Sequence, residues 1–204
     1  LSIRRQRQMC IRDRVAAVQN GADAVYMGFG SFNARRSARN FSDEEFLAAV
    51  RYCHLRGVKV YLTLNTLVLD REMQRAADLI RMAAAFGVDA FIVQDLGVVS
   101  LCKEIAPDVP VHASTQMSIH SLEGVLEAAA LGCSRVVLSR ELPASEIAYI
   151  CKKARSRSRF LSTARCACAI PGSAISRPSS AGAPATAASA PSPAACPTAT
   201  AGLN

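Results

Sequence analysis

Apolar residues in the middle of this chain come in short runs, each followed by a polar cluster and then by a stretch with helical spacing. The runs at residues 24–28, 58–64, 90–93, 109–113 and 135–138 read as strands. Their near-continuous apolar character is that of strands buried on both faces of a parallel sheet. Between them, residues 43–55, 71–86, 99–105, 122–131 and 144–154 carry the helical period, with Phe46, Ala49, Val50 and Cys53 on one face of the first. Ser42-Asp43-Glu44-Glu45 has the form of a capping box at its start, and Gly57, Gly87 and Gly132 stop three of the helices. Residues 15–20 read as the end of an earlier helix, stopped by Gly21.

Five closely spaced strand–helix units predict an α/β protein with parallel strands and crossover helices. A doubly wound sheet would carry a glycine-rich nucleotide loop after its first strand, but Gly28-Phe29-Gly30 does not continue as G-x-G-x-x-G into a helix. The expected architecture is therefore a partial (β/α) TIM-type barrel, since a complete one has eight strands.

In such a barrel the chemistry sits at the carboxyl ends of the strands. Four polar clusters occupy those positions: Leu64-Asn65-Thr66, Gln94-Asp95-Leu96-Gly97, His112-Ala113-Ser114-Thr115-Gln116 and Ser139-Arg140-Glu141-Leu142. Any one of them reads equally well as a helix cap or turn. Four in succession favour a site, with Asn65, Asp95, His112, Ser114 and Glu141 as candidates for chemistry.

Composition changes the picture in two places. The formal charge of +8 suggests nucleic acid until it is located: residues 1–14 carry +4, residues 154–204 carry +5, and the core carries −1. The eight cysteines are scattered without a C-x-x-C pair, which suits buried reduced thiols and a cytoplasmic compartment. No apolar stretch approaches the ~20 residues of a membrane span, and the amino terminus lacks the apolar segment of a secretory signal.

The two ends differ from the middle. Residues 9–14 are what a transposon-end adapter sequence encodes, so residues 1–14 are expected to be extraneous. Residues 162–201 are almost entirely Ala, Ser, Pro, Thr, Gly and Cys without periodicity. A disordered linker is the plain reading. A frameshift is the sharper one, because residues 162–175 can be back-translated and read two nucleotides later as HGALCMCYSGQC. On either reading residues 154–204 are expected to form a disordered tail, and a five-strand barrel is expected to expose its sheet edges.

The core resembles the peptidase U32 family, the collagenase-like proteases. The resemblance rests on Gly21-Ala-Asp-Ala-Val-Tyr26, Phe32-x-x-Arg35, Asn40-Phe41, Gly57-Val-Lys-Val-Tyr61, Asn65-Thr66, Asp89, Gln94-Asp95-Leu96-Gly97, His112-Ala-Ser-Thr-Gln116 and Arg135-Val-Val-Leu-Ser-Arg-Glu-Leu142. It covers residues 15–153. The family's opening strand is replaced here by the adapter-like residues, and its H-G-A-x-C segment occurs only in the shifted frame.

The family label implies proteolysis, yet His112 and Ser114 have no carboxylate placed by sequence to complete a Ser-His-Asp site. Nor is there an H-E-x-x-H zinc motif. The resemblance also implies prephenate-dependent or oxygen-independent hydroxylation of transfer RNA, ribosomal RNA or ubiquinone precursors. Several members carry an iron–sulfur cluster on cysteines of the segment lost here. No metal site or cofactor is expected in this chain, and a cluster only in a frame-restored parent; Cys53, Cys102, Cys133 and Cys151 lie on separate elements and are not its expected ligands.

Three functions stay open: an RNA- or quinone-precursor-hydroxylating parent, a peptidase, and a truncated product without activity. For the first, Arg35, Arg39 and Arg140 are candidates to hold phosphates or a carboxylate donor, with Gln94 and Gln116 as further substrate contacts. Against these stand a buried Arg140–Glu141 ion pair, and loop carbonyls satisfied by Asn65, Gln94 and Gln116. The partners to expect are RNA, a small carboxylate or aromatic substrate, and a second subunit of the same family.

Overall fold

The computed structural model describes residues 6–8, 11–29, 32, 42–157 and 163–166. Strands and helices alternate along them. The order is β1 (Gln6–Gln8), α1 (Ile11–Gln19), β2 (Ala24–Gly28), α2 (Asp43–His54), β3 (Lys59–Leu64), α3 (Met73–Ala85), β4 (Ala90–Val93), α4 (Leu96–Ile105), β5 (Val111–Ala113), α5 (Leu122–Ala130), β6 (Cys133–Leu138), α6 (Ala144–Arg157) and β7 (Thr163–Cys166).

All neighbouring strands are parallel and lie in the sheet in chain order, β1 to β7. A doubly wound sheet reverses its order at a switch point, placing helices on both faces. Strands laid down in one direction, with crossovers of one hand, keep every helix on one side and curl the sheet toward a barrel. The fold is a partial (β/α) barrel.

Side chains alternate across the barrel wall. Val25, Met27, Val60, Leu62, Leu64, Phe91, Val93, Val111, Val136 and Leu138 face outward and pack with Phe46, Ile80, Val99, Val125 and Ile150 in the main core. Ala24, Tyr61 and Ala90 form a separate small cluster on the other face, joined by Tyr26 and Ile92. That second face is the barrel interior.

Local chemistry sets the element ends. The capping box opens α2 as expected: the Glu45 amide donates to Ser42 Oγ at 3.2 Å, and the Ser42 amide donates to Glu45 Oε2 at 3.0 Å. Gly57 sits at φ +69° beyond the helix, where a side chain would be strained. Helix α4 begins at Leu96, earlier than periodicity indicates, because Asp95 caps it. A 3-10 turn at Asp70–Glu72 takes the place of the first turn expected for α3.

The sequence reading gave five strands, and the structure adds two at the edges. Strand β1 pairs Gln6–Gln8 with β2, inside the segment expected to be extraneous. Strand β7 pairs Thr163–Cys166 with β6, inside the expected tail, and Ala154 of α6 is buried. The expectation of no packed structure is thus corrected for residues 154–157 and 163–166. Edge pairing engages backbone groups and asks little of side chains, so apolar periodicity does not reveal it. Residues 167–204 lie outside the described residues. Among the described residues no helix is long and apolar enough to cross a membrane.

The amino-terminal face of the barrel is held by Asp89. Its Oδ2 accepts from the Val60 amide at 2.7 Å and meets His54 Nε2 at 2.8 Å. Such a latch serves stability, since chemistry belongs to the opposite face. Asp89→Ala leaves the Val60 amide without its acceptor and is expected to lower unfolding free energy by about 2–3 kcal/mol. Urea unfolding followed by circular dichroism measures it.

Candidate active site in the barrel interior

Parallel strands bring their carboxyl ends to one rim. Asn65 follows β3, Gln94 and Asp95 follow β4, Ser114 follows β5, and Arg140 and Glu141 lie just beyond β6. His112 is within β5 itself. Arg35 and Arg39 lie outside the described residues.

Several of these polar groups do structural work. Asp95 Oδ1 accepts from the Gly97 amide at 2.8 Å and the Val98 amide at 3.2 Å, while Oδ2 accepts from the Val68 amide at 3.3 Å. One carboxylate therefore caps α4 and ties down the loop after β3. Ser114 is buried, and its hydroxyl accepts from the Gln116 amide at 3.3 Å to cap the turn Thr115–Met117. Asn65 and Gln94 are half-buried and Gln116 is exposed. Arg140 and Glu141 are both exposed, so the buried ion pair entertained for them does not exist.

The inward row one level below the rim was not anticipated. Register places Gly28, Thr63, Ile92, His112 and Arg135 side by side across five strands, with Tyr26, Tyr61 and Ala90 in the row beneath. Branched aliphatic side chains dominate barrel interiors; polar and aromatic groups dominate this one. His112 is 5% exposed and meets the ring of Tyr61 edge-on, centroids 5.1 Å apart at 83°. The Arg135 guanidinium carbon lies 5.9 Å from the Tyr61 centroid. Arg135 Nε is buried without a hydrogen-bond partner, as is Thr66 Oγ1 at the rim. Thr63 Oγ1 donates to the Met27 carbonyl at 3.1 Å.

A bulge explains why Arg135 faces inward. Val111 pairs with Cys133 but His112 pairs with Arg135, so Ser134 is skipped and donates its hydroxyl to the Val111 carbonyl at 3.2 Å. In unbroken register Arg135 would sit opposite Ala113 and point toward the helices. Bulges re-aim side chains in this way next to active sites.

The arrangement offers an imidazole for proton transfer and a guanidinium for an anion, with a flat tyrosine wall. Sequence reasoning found His112 but passed over Tyr26, Tyr61, Thr63 and Arg135. Their common signal was a polar or aromatic residue at alternate positions of otherwise apolar strands. The surface depressions lined by Glu44, Leu47, Ala48, Arg51, Tyr52 and Leu55 lie on the outer face of α2, without converging polar groups.

Among the described residues no three metal-binding side chains converge. Burial pushes the Cys102 thiol from 9.0 up to about 12, helped by neighbouring Cys133, and pushes Cys133 up to about 11. Burial holds both thiols protonated in the folded chain. Their stabilising effect is present below pH 9, the unfolded value, and is lost as pH rises through the folded values. Each tenfold change in proton affinity is worth about 1.4 kcal/mol. The melting temperature is therefore expected to fall between pH 9 and 11, and Cys102→Ala should flatten that fall.

The described elements thus form a parallel (β/α) barrel whose interior row is titratable, cationic and aromatic. Residues 11–169 match the family described as Peptidase family U32. The chain belongs to that family. It is 40% identical over 134 residues to the 23S rRNA 5-hydroxycytidine C2501 synthase of Escherichia coli, covering 66% of this chain and 20% of that protein. Identity is 36% to the tRNA hydroxylation protein P1 of Bacillus subtilis, covering 64% and 31%, and 36% to a collagenase of Porphyromonas gingivalis, covering 67% and 32%. The chain thus spans between a fifth and a third of these relatives. A solved U32 peptidase shares the fold with TM-score 0.63 at 17% identity, over 80% of this chain and 67% of that one.

Proposed function

We propose that this barrel is the substrate-binding part of a longer protein that hydroxylates a base of transfer or ribosomal RNA; the ring of a quinone precursor is the alternative substrate. The observation that carries the reading is the interior row of His112 and Arg135 above Tyr61, in a chain whose relatives include proteins named for RNA hydroxylation. His112 moves a proton at the ring being modified, Tyr61 and Tyr26 form the wall against which a flat ring lies, and the rim residues Asn65, Gln94 and Gln116 meet the rest of the substrate. The RNA would be met in the cytoplasm, where the buried thiols stay reduced.

On this reading the longer parent is restored by a change of frame within residues 153–160, and resequencing across them tests that change. Any iron–sulfur cluster of the parent is held by cysteines outside the described residues. The function is tested by expressing the parent in a strain lacking its own RNA hydroxylation proteins, then analysing digested RNA by mass spectrometry. Hydroxylated pyrimidine nucleosides should return.

The peptidase reading, supported by the collagenase among the relatives, makes a different forecast. Ser114 Oγ is engaged in capping the turn that follows β5. Purified parent is expected to leave gelatin uncut within a day. Cleavage that disappears in Ser114→Ala, with the fold intact, would establish a peptidase.

A further inference from the structure

The mouth of the barrel carries an apolar patch that the core does not use. Among the described residues six large hydrophobic side chains are exposed, and three of them sit at this rim. Leu67 (69% exposed) and Leu69 (53%) lie in the loop after β3, and Leu96 (57%) opens α4. The other three are scattered: Leu55 ends α2, Leu131 ends α5 and Tyr149 lies within α6. Single exposed leucines are ordinary, whereas a group of them marks a contact surface.

Two carboxylates fix the patch. Asp95 Oδ2 accepts from the Val68 amide at 3.3 Å, which brings the leucines flanking Val68 beside the one that follows Asp95. Glu72 Oε2 accepts from the Leu69 amide at 3.1 Å. Val68 packs on the core while its two neighbours stay exposed. The leucines are thus presented on a braced loop, with its ordering cost met before any partner arrives.

Depth decides what that partner is. His112 is buried one row below the rim. A base held in an RNA stack does not reach it, and enzymes that act on such a base take it out of the stack. Proteins that open a stacked step do so with apolar side chains, leucine among them. We infer that Leu67, Leu69 and Leu96 form an unstacking wedge, packing against the bases that flank the nucleotide entering the barrel. Beside them Asp70, Arg71 and Glu72 make no basic cluster, so the contact is to bases rather than to phosphates. A polypeptide docked here permanently would crowd the entrance to His112. This role rests on the RNA reading proposed above and adds the step that the interior row cannot perform.

The 204-residue chain contains no tryptophan, so one placed in the patch reports on it alone. Leu67→Trp and Leu96→Trp are titrated with unfractionated transfer RNA and with ribosomal RNA, beside Leu131→Trp on the amino-terminal face. Binding is followed separately by the anisotropy of end-labelled RNA. RNA should quench the indole at positions 67 and 96, as it stacks on bases, and leave the one at 131 unchanged. Leu67→Trp should bind about fivefold or more tighter than Leu67→Ser, given what base–aromatic stacking contributes. Both should show the same dependence on salt, since no phosphate contact is altered. Thermal melts check the fold of each variant, and should Leu67→Trp melt early, Leu96→Trp decides.

RNA bound without quenching at 67 and 96, equal quenching at 131, or equal affinity of Leu67→Trp and Leu67→Ser would each overturn the wedge. A blue shift of Leu67→Trp that grows with protein concentration in the absence of RNA would also overturn it, because a second copy would then cover the patch. Binding without quenching leaves the hydroxylation reading intact. Quenching by RNA that the longer protein never hydroxylates removes that reading and leaves the rim as an RNA contact. No binding of either RNA removes both.

Discussion

His112→Gln is expected to lower RNA hydroxylation by the longer protein proposed above about 10²–10⁴-fold, the usual contribution of a positioned acid or base. Glutamine keeps the length of the side chain and some hydrogen-bonding capacity but cannot carry a proton back and forth. His112 is buried in the middle of β5, fixed by its strand and by the Tyr61 ring, so the loss should come from chemistry more than from displacement. The rate of hydroxylated nucleoside formation, measured beside a thermal melt, separates the two. A variant that melts normally and hydroxylates at the parent rate would remove His112 from the mechanism.

Asp95→Ala is expected to have the largest effect on stability, about 3–5 kcal/mol. Three amides lose their acceptor together: Gly97 and Val98 at the start of α4, and Val68 in the loop after β3. The loss of a helix cap costs about 1 kcal/mol by itself, and the part-buried Val68 and Val98 amides left without a partner add about 1–2 kcal/mol each. Asp95→Asn retains one acceptor oxygen and should recover part of the loss. Chemical denaturation gives both values. If Asp95→Ala unfolds like the parent while activity vanishes, the carboxylate belongs to the chemistry and its cap role is secondary.

Much of the fold was legible because its determinants are local. Runs such as Ala90–Val93, ended by Gln94-Asp95 and followed by helical spacing, announce a strand, a turn and a crossover without reference to the rest of the chain. The edge strands β1 and β7 were not legible, because their polar or small residues join the sheet through backbone hydrogen bonds. The candidate site divides in the same way. Polar clusters beyond strand ends stand out in a sequence, yet Asp95 and Ser114 proved to be caps. Inward residues are hidden within apolar runs, and the inward turn of Arg135 depends on a one-residue slip opposite Val111 and His112 that no periodicity encodes. Tyr61 stands in the family pattern, and its partnership with His112 emerges only when β3 and β5 are placed in one barrel.

The most direct test of the interior row as the working site is mass spectrometry of RNA nucleosides from a hydroxylation-deficient strain carrying the parent gene. Strains with the unmodified parent and with the His112→Gln, Arg135→Lys double variant are compared at equal protein levels. Restored hydroxylated pyrimidines with the parent, and less than a hundredth of that amount with the double variant, is the result expected. No restoration by a well-folded parent, or equal restoration by both, would contradict it.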